Sequence, residues 1–246
     1  MQVVYPPFPD TNDSTVDVRD HRYVTLFDQI TELMNTAPLF SLPAHSIRQR
    51  TVAVVSPKGG VGKTTITASL AYEAARLGFN VLVVDASGTG GVSSLMNRQA
   101  TTHKHATPGG QESERSIADA LHENLPAPAY PVDAWTPDPA TPWHRGGPAI
   151  PGGQVLISPT PPGSSGRMSI TDVLAQAGTT AETRLARALD THAASVDLIL
   201  IDTPGTDTPS VLSSIFHAAQ HIIVPLHLHP QAVETLEQMT TKITAW

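Results

Sequence analysis

The chain has 246 residues, enough for one α/β domain with a large core, or one domain plus small additions. Charged residues make up only 15%, the deficit filled by 22 Pro, 17 Gly and many small polar residues, and a net charge of −7 does not indicate a basic, DNA-coating protein. The absence of cysteine excludes disulfides, thiolate catalysis and cysteine-ligated metal clusters in this chain.

Residues 1–19 read as a loosely packed arm rich in Pro, Asp and Thr, without the basic start and apolar stretch of a signal peptide. No apolar run reaches the roughly 18 residues of a membrane span, so the cytoplasm is the expected location. Residues 20–35 are predicted helical: Val24, Phe27, Ile30, Leu33 and Met34 recur at helical spacing behind Asp20 as a cap. Pro38 and Pro43 then break the chain. Residues 1–50 therefore form an N-terminal arm and helix, and residues 51–246 a second region of different texture.

A Val-rich strand is predicted over 51–56, then a glycine-rich loop, a helix over 63–77 closed by Gly78, and a strand over 81–84 ending in Asp85. This order is a βαβ unit, hence a parallel sheet with a right-handed crossover. A small-residue turn occupies 87–91, and a helix begins over 92–96. Residues 97–153 read as an irregular Pro/Gly-rich insertion, relieved by a short helix over 116–121. Residues 126–162 hold half of all the prolines, with Trp135 and Trp143 among them. Those tryptophans offer a partner surface, although proline-rich spacer is the plainer reading. A strand over 155–157, a helix over 180–192, a strand over 196–201 ending in Asp202, a helix over 210–219, a strand over 221–226 and a helix over 232–243 complete the chain. Strands alternating with helices over 51–246 define a doubly wound, mostly parallel α/β fold.

The motif that carries chemistry is Lys58-Gly59-Gly60-Val61-Gly62-Lys63-Thr64-Thr65. Its glycines let successive backbone N–H groups face one anion, and the helix opening at Lys63 adds its partial positive charge. Lys63 can reach β and γ phosphates, Thr64 supplies a hydroxyl to Mg²⁺, and Thr65 one to the α phosphate. The ordinary G-x-x-x-x-G-K-[ST] pattern fails, because Pro57 stands where its first glycine belongs. What stands here instead is a variant with an extra lysine at the loop start.

On these residues, the stretch 51–246 resembles the ParA/MinD class of deviant Walker P-loop ATPases, and best its ParA plasmid- and chromosome-partition branch. The resemblance implies that Lys58 reaches across a dimer interface to the partner's nucleotide, so that Mg·ATP joins two subunits and hydrolysis releases them. The strand ending in Asp85 resembles the strand after the P-loop helix in that class. Residues 198–205, ending Asp202-Thr203-Pro204-Gly205, resemble its Walker B segment. Asp85 and Asp202 are accordingly expected to hold Mg²⁺ through water, with Lys58, Lys63 and Asp85 as the catalytic set. The resemblance also implies a ParB-like or other partner protein and non-specific DNA as a ligand of the ATP dimer, which the low charge does not favour.

Two departures bear on activity. The family has Asp-x-Asp after the second strand, whereas this chain has Asp85-Ala86-Ser87. A serine hydroxyl lacks the charge to position an attacking water, so weak or absent hydrolysis is expected. The resemblance also implies a further strand and helix after Trp246. Two other functions stay open: a non-catalytic nucleotide-binding scaffold for a partner, and a MinD-like membrane-site selector. The second expects an amphipathic C-terminal helix, and residues 232–246 are neither visibly basic nor strongly amphipathic. His227 with His229, His103 with His105, and Ser164 with Ser165 read as loop or surface residues, and Arg184 with Arg187 as a solvated helix face.

Overall fold

The computed structural model describes residues 50–100, 114–137, 152–161, 167–205, 209–226 and 241, all within the unit Arg48–Trp246. The helix expected over 20–35 lies outside these residues, as does that over 232–243 except for Thr241. So do His103, His105, Trp143, Ser164, Ser165, His227 and His229.

Six strands form one sheet: β1 (Arg50–Val54), β2 (Asn80–Asp85), β3 (Tyr130–Pro131), β4 (Gln154–Ser158), β5 (Leu198–Asp202) and β6 (His221–Ile223). Their order across the sheet is β3-β4-β2-β5-β1-β6, with every pairing parallel except the antiparallel β3–β4 edge. The central strands read as unbroken apolar runs because both faces are covered. Alternation then sorts them. Leu82, Val84, Ile199 and Ile201 face one core, while Val81, Val83 and Leu200 face the other.

The second core is covered by α1 (Lys63–Arg76) and α2 (Gly91–Leu95), through Ala68, Ala71, Ala75 and Val92. The first is covered by α3 (Ile117–Glu123), α4 (Ile170–Gln176), α5 (Ala181–Asp190) and α6 (Pro209–Ala218). Helices on both faces of a mostly parallel sheet make the fold doubly wound, as the sequence predicts. α1 presents alanines to the sheet, which allows close approach. It ends in a Schellman arrangement: Gly78 takes φ 91°, its N–H bonds Ala75 O at 2.9 Å, and Phe79 N–H bonds Ala74 O at 3.1 Å.

The structure departs from the sequence reading at three places. Residues 114–137, expected to be irregular beyond one short helix, add the edge strand β3 and a 3₁₀ turn at Asp133–Trp135. Side chains anchor this stretch. Arg98 makes two 2.8 Å bonds to Glu114 and lies 4.7 Å from the Tyr130 ring centroid, while Trp135 packs edge-on against Tyr72 at 6.5 Å. Trp135 is thus tied to α1 and half-buried there. Helix α4 is additional to the expected elements. Its signal was legible as Ser169 followed three residues later by Asp172, a capping box that the structure closes in both directions. Third, β6 stops at Ile223, short of the expected 226, and Pro225 cannot donate to a ladder.

Gly153, just before β4, lies flat against the end of α1. A Cβ there would overlap the carbonyl oxygen of Ala75 and sit 2.8 Å from its carbon. Backbone on both sides leaves no cheap relief, so Gly153→Ala is expected to cost about 1–3 kcal/mol of stability, read as a lowered urea midpoint at unchanged slope.

Candidate nucleotide-binding site

The loop between β1 and α1 is turned by two left-handed glycines, Gly60 at φ 73° and Gly62 at φ 91°, the latter capping α1. A side chain at Gly59, Gly60 or Gly62 would meet no atom within 4 Å. The conformation demands glycine at 60 and 62. Packing demands it at none of the three, so the space beside the loop is left clear for something other than the protein's own atoms. Lys63 is buried at the start of α1, and its Nζ donates to Lys58 O at 3.0 Å. Burial lowers the Lys63 pKa, and the charge of Asp202 partly opposes that. The Lys58 side chain is exposed, as is Thr65.

Asp85 and Asp202 end adjacent parallel strands in register with one another. Both are fully buried, at the carboxyl edge of the sheet where open α/β folds bind ligands. They are used differently. Thr64 Oγ1 donates to Asp202 Oδ2 at 2.9 Å, and the Val92 N–H also bonds this carboxylate. Asp202 Oδ1 is buried with no hydrogen-bond partner. Asp85 is spoken for: Oδ1 accepts from Ser87 N–H at 3.0 Å and from Ser87 Oγ at 2.5 Å, and Oδ2 accepts from Ser93 N–H at 2.9 Å.

The oxygens of Asp85 thereby brace the 87–93 turn. Ser87 is equally engaged, since its Oγ gives its proton to Asp85 and accepts from Gly91 N–H at 2.8 Å.

Burial first, and the neighbouring Asp85 charge second, push the Asp202 pKa up to about 7, against the hydrogen bond from Thr64 and the charge of Lys63. Burial also raises Asp85, though its serine hydrogen bonds oppose this. A carboxylate so destabilised, with an orphaned oxygen and a hydroxyl beside it, is a fit for Mg²⁺. Among the described residues no cluster of three or more His, Asp or Glu could hold a metal, so the remaining ligands would come from water and phosphate, as Mg²⁺ prefers.

The structure gives a part at the site to residues that had no role assigned from the sequence. A Cβ added at Gly205 would lie 3.5 Å from Gly59 Cα and from Lys63 Nζ, so the bare backbone there leaves room beside the loop. Thr203 Oγ1 donates to Val54 O at 2.7 Å, locking the β5 exit onto β1. Gly91 and Ser93 supply amides to Ser87 and Asp85, and nothing in a lone Gly or Ser signals that. Arg184 bonds Leu121 O at 2.8 Å and so ties α5 to α3, while Arg187 is exposed.

A parallel sheet whose first strand enters a two-lysine glycine loop, with a carboxylate on the next strand paired to the loop threonine, is a P-loop nucleotide-binding domain. Residues 52–209 match the family model described as the CobQ/CobB/MinD/ParA nucleotide binding domain. The chain belongs to that family and stands near its ParA partition branch. It is 30% identical over 186 residues to the chromosome-partitioning ATPase Soj of Thermus thermophilus, a match covering 75% of this chain and 57% of that protein. The chain thus spans less than two thirds of that relative's length.

Among solved structures it is similar to cobyrinic acid a,c-diamide synthase from Mycobacterium smegmatis with bound ADP and magnesium (TM-score 0.59, 21% identity, covering 80% of this chain and 67% of that one). It is also similar to a plasmid partition protein from Borrelia burgdorferi (TM-score 0.57, 19% identity, covering 80% and 74%). At these identities the structures show a shared fold. No helix of the described residues is long and apolar enough to cross a membrane.

The raised pKa of Asp202 has a consequence for stability. Unfolded, the group ionises near its usual 3.8; folded, it holds its proton to about 7. The folded state therefore binds more protons in that window, and stability present below about pH 4 is lost as pH rises through 7. Without nucleotide, the melting temperature is expected to fall between pH 5 and pH 8, by the equivalent of a few kcal/mol on the order of the shift. Asp202→Asn should flatten the profile.

Proposed function

We propose that this chain is a ParA-type switch that binds Mg·ATP and dimerises with it, in DNA partition or cargo positioning through a partner protein, with weak or absent hydrolysis. The observation that carries the nucleotide part is the Thr64–Asp202 pair with its orphaned carboxylate oxygen beside the cleared glycine loop. In this reading the loop amides and Lys63 bind phosphate, with Val61 and Thr65 shaping the cradle, and Thr64 and Asp202 hold Mg²⁺. The metal would neutralise phosphate charge when bound. Lys63 must exchange its bond to the Lys58 carbonyl for one to phosphate, and its lowered pKa reflects a buried amine short of counter-charge until then. The exposed side chain of Lys58 is free of the protein's own core and available to a second subunit.

Weak hydrolysis follows from Ser87. Its hydroxyl is used as donor to Asp85 and as acceptor from Gly91, and a neutral hydroxyl is too weak a base to take a proton from water. That same observation favours a second reading, a nucleotide-binding scaffold that dimerises without turnover. The relation to Soj, a chromosome-partitioning ATPase, supports the partition setting, and the net charge of −7 weighs against DNA binding by this chain alone.

Light scattering should give a dimer in Mg·ATP and a monomer in Mg·ADP, with Lys58→Ala a monomer in both. The variant is clean, because Lys63 is held by the Lys58 backbone carbonyl, which the substitution keeps. An unchanged mass across both nucleotides would sink the switch. Separately, Ser87→Asp should raise ATP turnover by about 10²-fold or more over a slow wild type. A wild type already turning over briskly, and unaffected by this change, would reject the assignment of Ser87.

A further inference from the structure

Gly91 opens α2, yet its backbone does not call for glycine. Gly90 before it takes φ 73°, while Gly91 is not among the residues with positive φ. Inside a helix, alanine is the better former. What forbids a side chain is space. A Cβ at position 91 would lie 2.9 Å from Thr64 Oγ1, 3.3 Å from Asp202 Oδ2 and 3.4 Å from Ser87 Oγ. The first is closer than a carbon tolerates, and the second is tight. The absent side chain points at three polar atoms of the site at once, in contrast to Gly59, Gly60 and Gly62, which face open space.

Position 91 also cannot back away. The amides of Gly91, Val92 and Ser93 are bonded in succession to Ser87 Oγ, to the Asp202 carboxylate and to Asp85 Oδ2. A shift of the helix start would strain all three. Asp202 is fixed at the end of β5, between β1 and β2. The group left to yield is the Thr64 side chain, whose hydroxyl is the one proposed to reach the cation.

We propose that Gly91 is a positioning residue that keeps clear the room beside the Thr64–Asp202 pair, so that a divalent cation and the waters it retains can be held there. The proposal rests on the reading that these two residues face Mg²⁺. A small, strongly hydrated cation needs near-octahedral room and keeps several waters, so one methyl at this point displaces a water or turns Thr64 aside. The phosphate cradle itself is not touched by position 91. The effect therefore belongs to the metal-dependent part of nucleotide binding and leaves the metal-independent part alone.

The test is a titration of the full chain with a fluorescent ADP analogue, in Mg²⁺ and in EDTA, for the wild type and Gly91→Ala. The expected result is a loss of about 10–100-fold in affinity in Mg²⁺, the range found for residues that orient metal ligands, with EDTA values level between the two proteins. Thr64→Ser in the Gly91→Ala background should recover part of the loss, because serine lacks the methyl that restricts the hydroxyl's rotamers. Gly91→Ala with the full wild-type gain from Mg²⁺ would overturn the proposal while leaving the Thr64–Asp202 reading standing. So would equal losses in both buffers, which mark general damage to the site. A wild type that binds no better in Mg²⁺ than in EDTA would remove that underlying reading, and the proposal with it.

Discussion

The site depends on one buried carboxylate, Asp202, held by Thr64 on one side and left with an unpartnered oxygen on the other. Burying a charge this way is unfavourable unless something compensates, and here the protein compensates only in part. A hydroxyl, an amide and a lysine approach it, while a second carboxylate stands in register on the next strand. The ionised form of Asp202 is thus disfavoured in the fold, at the point where a cation would favour it. The rest of the fold serves to hold that arrangement: a five-strand parallel array places both acids at one edge, and helices on both faces keep water from dissolving the problem.

Asp85 and Ser87 show how polar groups at the same edge can be spent within the fold. The resemblance to the partition ATPases suggests a second acid at position 87. A serine in its place closes a small internal circuit with Asp85 and the first turn of α2. That circuit organises the turn. Binding and hydrolysis are separable in such a site, because binding draws on loop geometry and Thr64, and hydrolysis on a proton acceptor.

The stretch between α2 and β4 is also reweighed. Composition marks it as proline-rich and irregular, yet part of it is bound to the core by specific pairs: Arg98 with Glu114 and Tyr130, Trp135 with Tyr72, and Arg167 with Asp119. Partly buried pairs of this kind add modestly in energy, but they fix which way a loop runs. Through Trp135 and Tyr72 the stretch lies against the same helix that begins at the phosphate loop.

The residues alone were enough for the fold class, the glycine loop between strand and helix, and the acids at the strand ends, because each is written in local order. Apolar runs of strand length, a glycine string between strand and helix, and an acid at a strand end need no long-range information. The capping box of α4 is equally local, and Ile170, Val173 and Leu174 behind it follow helical spacing. What the tertiary structure decided is the division of labour between acids that look alike in sequence. Asp202 keeps an open oxygen and Asp85 does not, because α2 folds back so that its amides reach Asp85, Ser87 and Asp202 together. The spatial constraint on Gly91 arises in the same way, from atoms 27 residues before it in Thr64 and 111 after it in Asp202. Contacts at that separation leave no period or motif in the chain, and only packing brings them within reach.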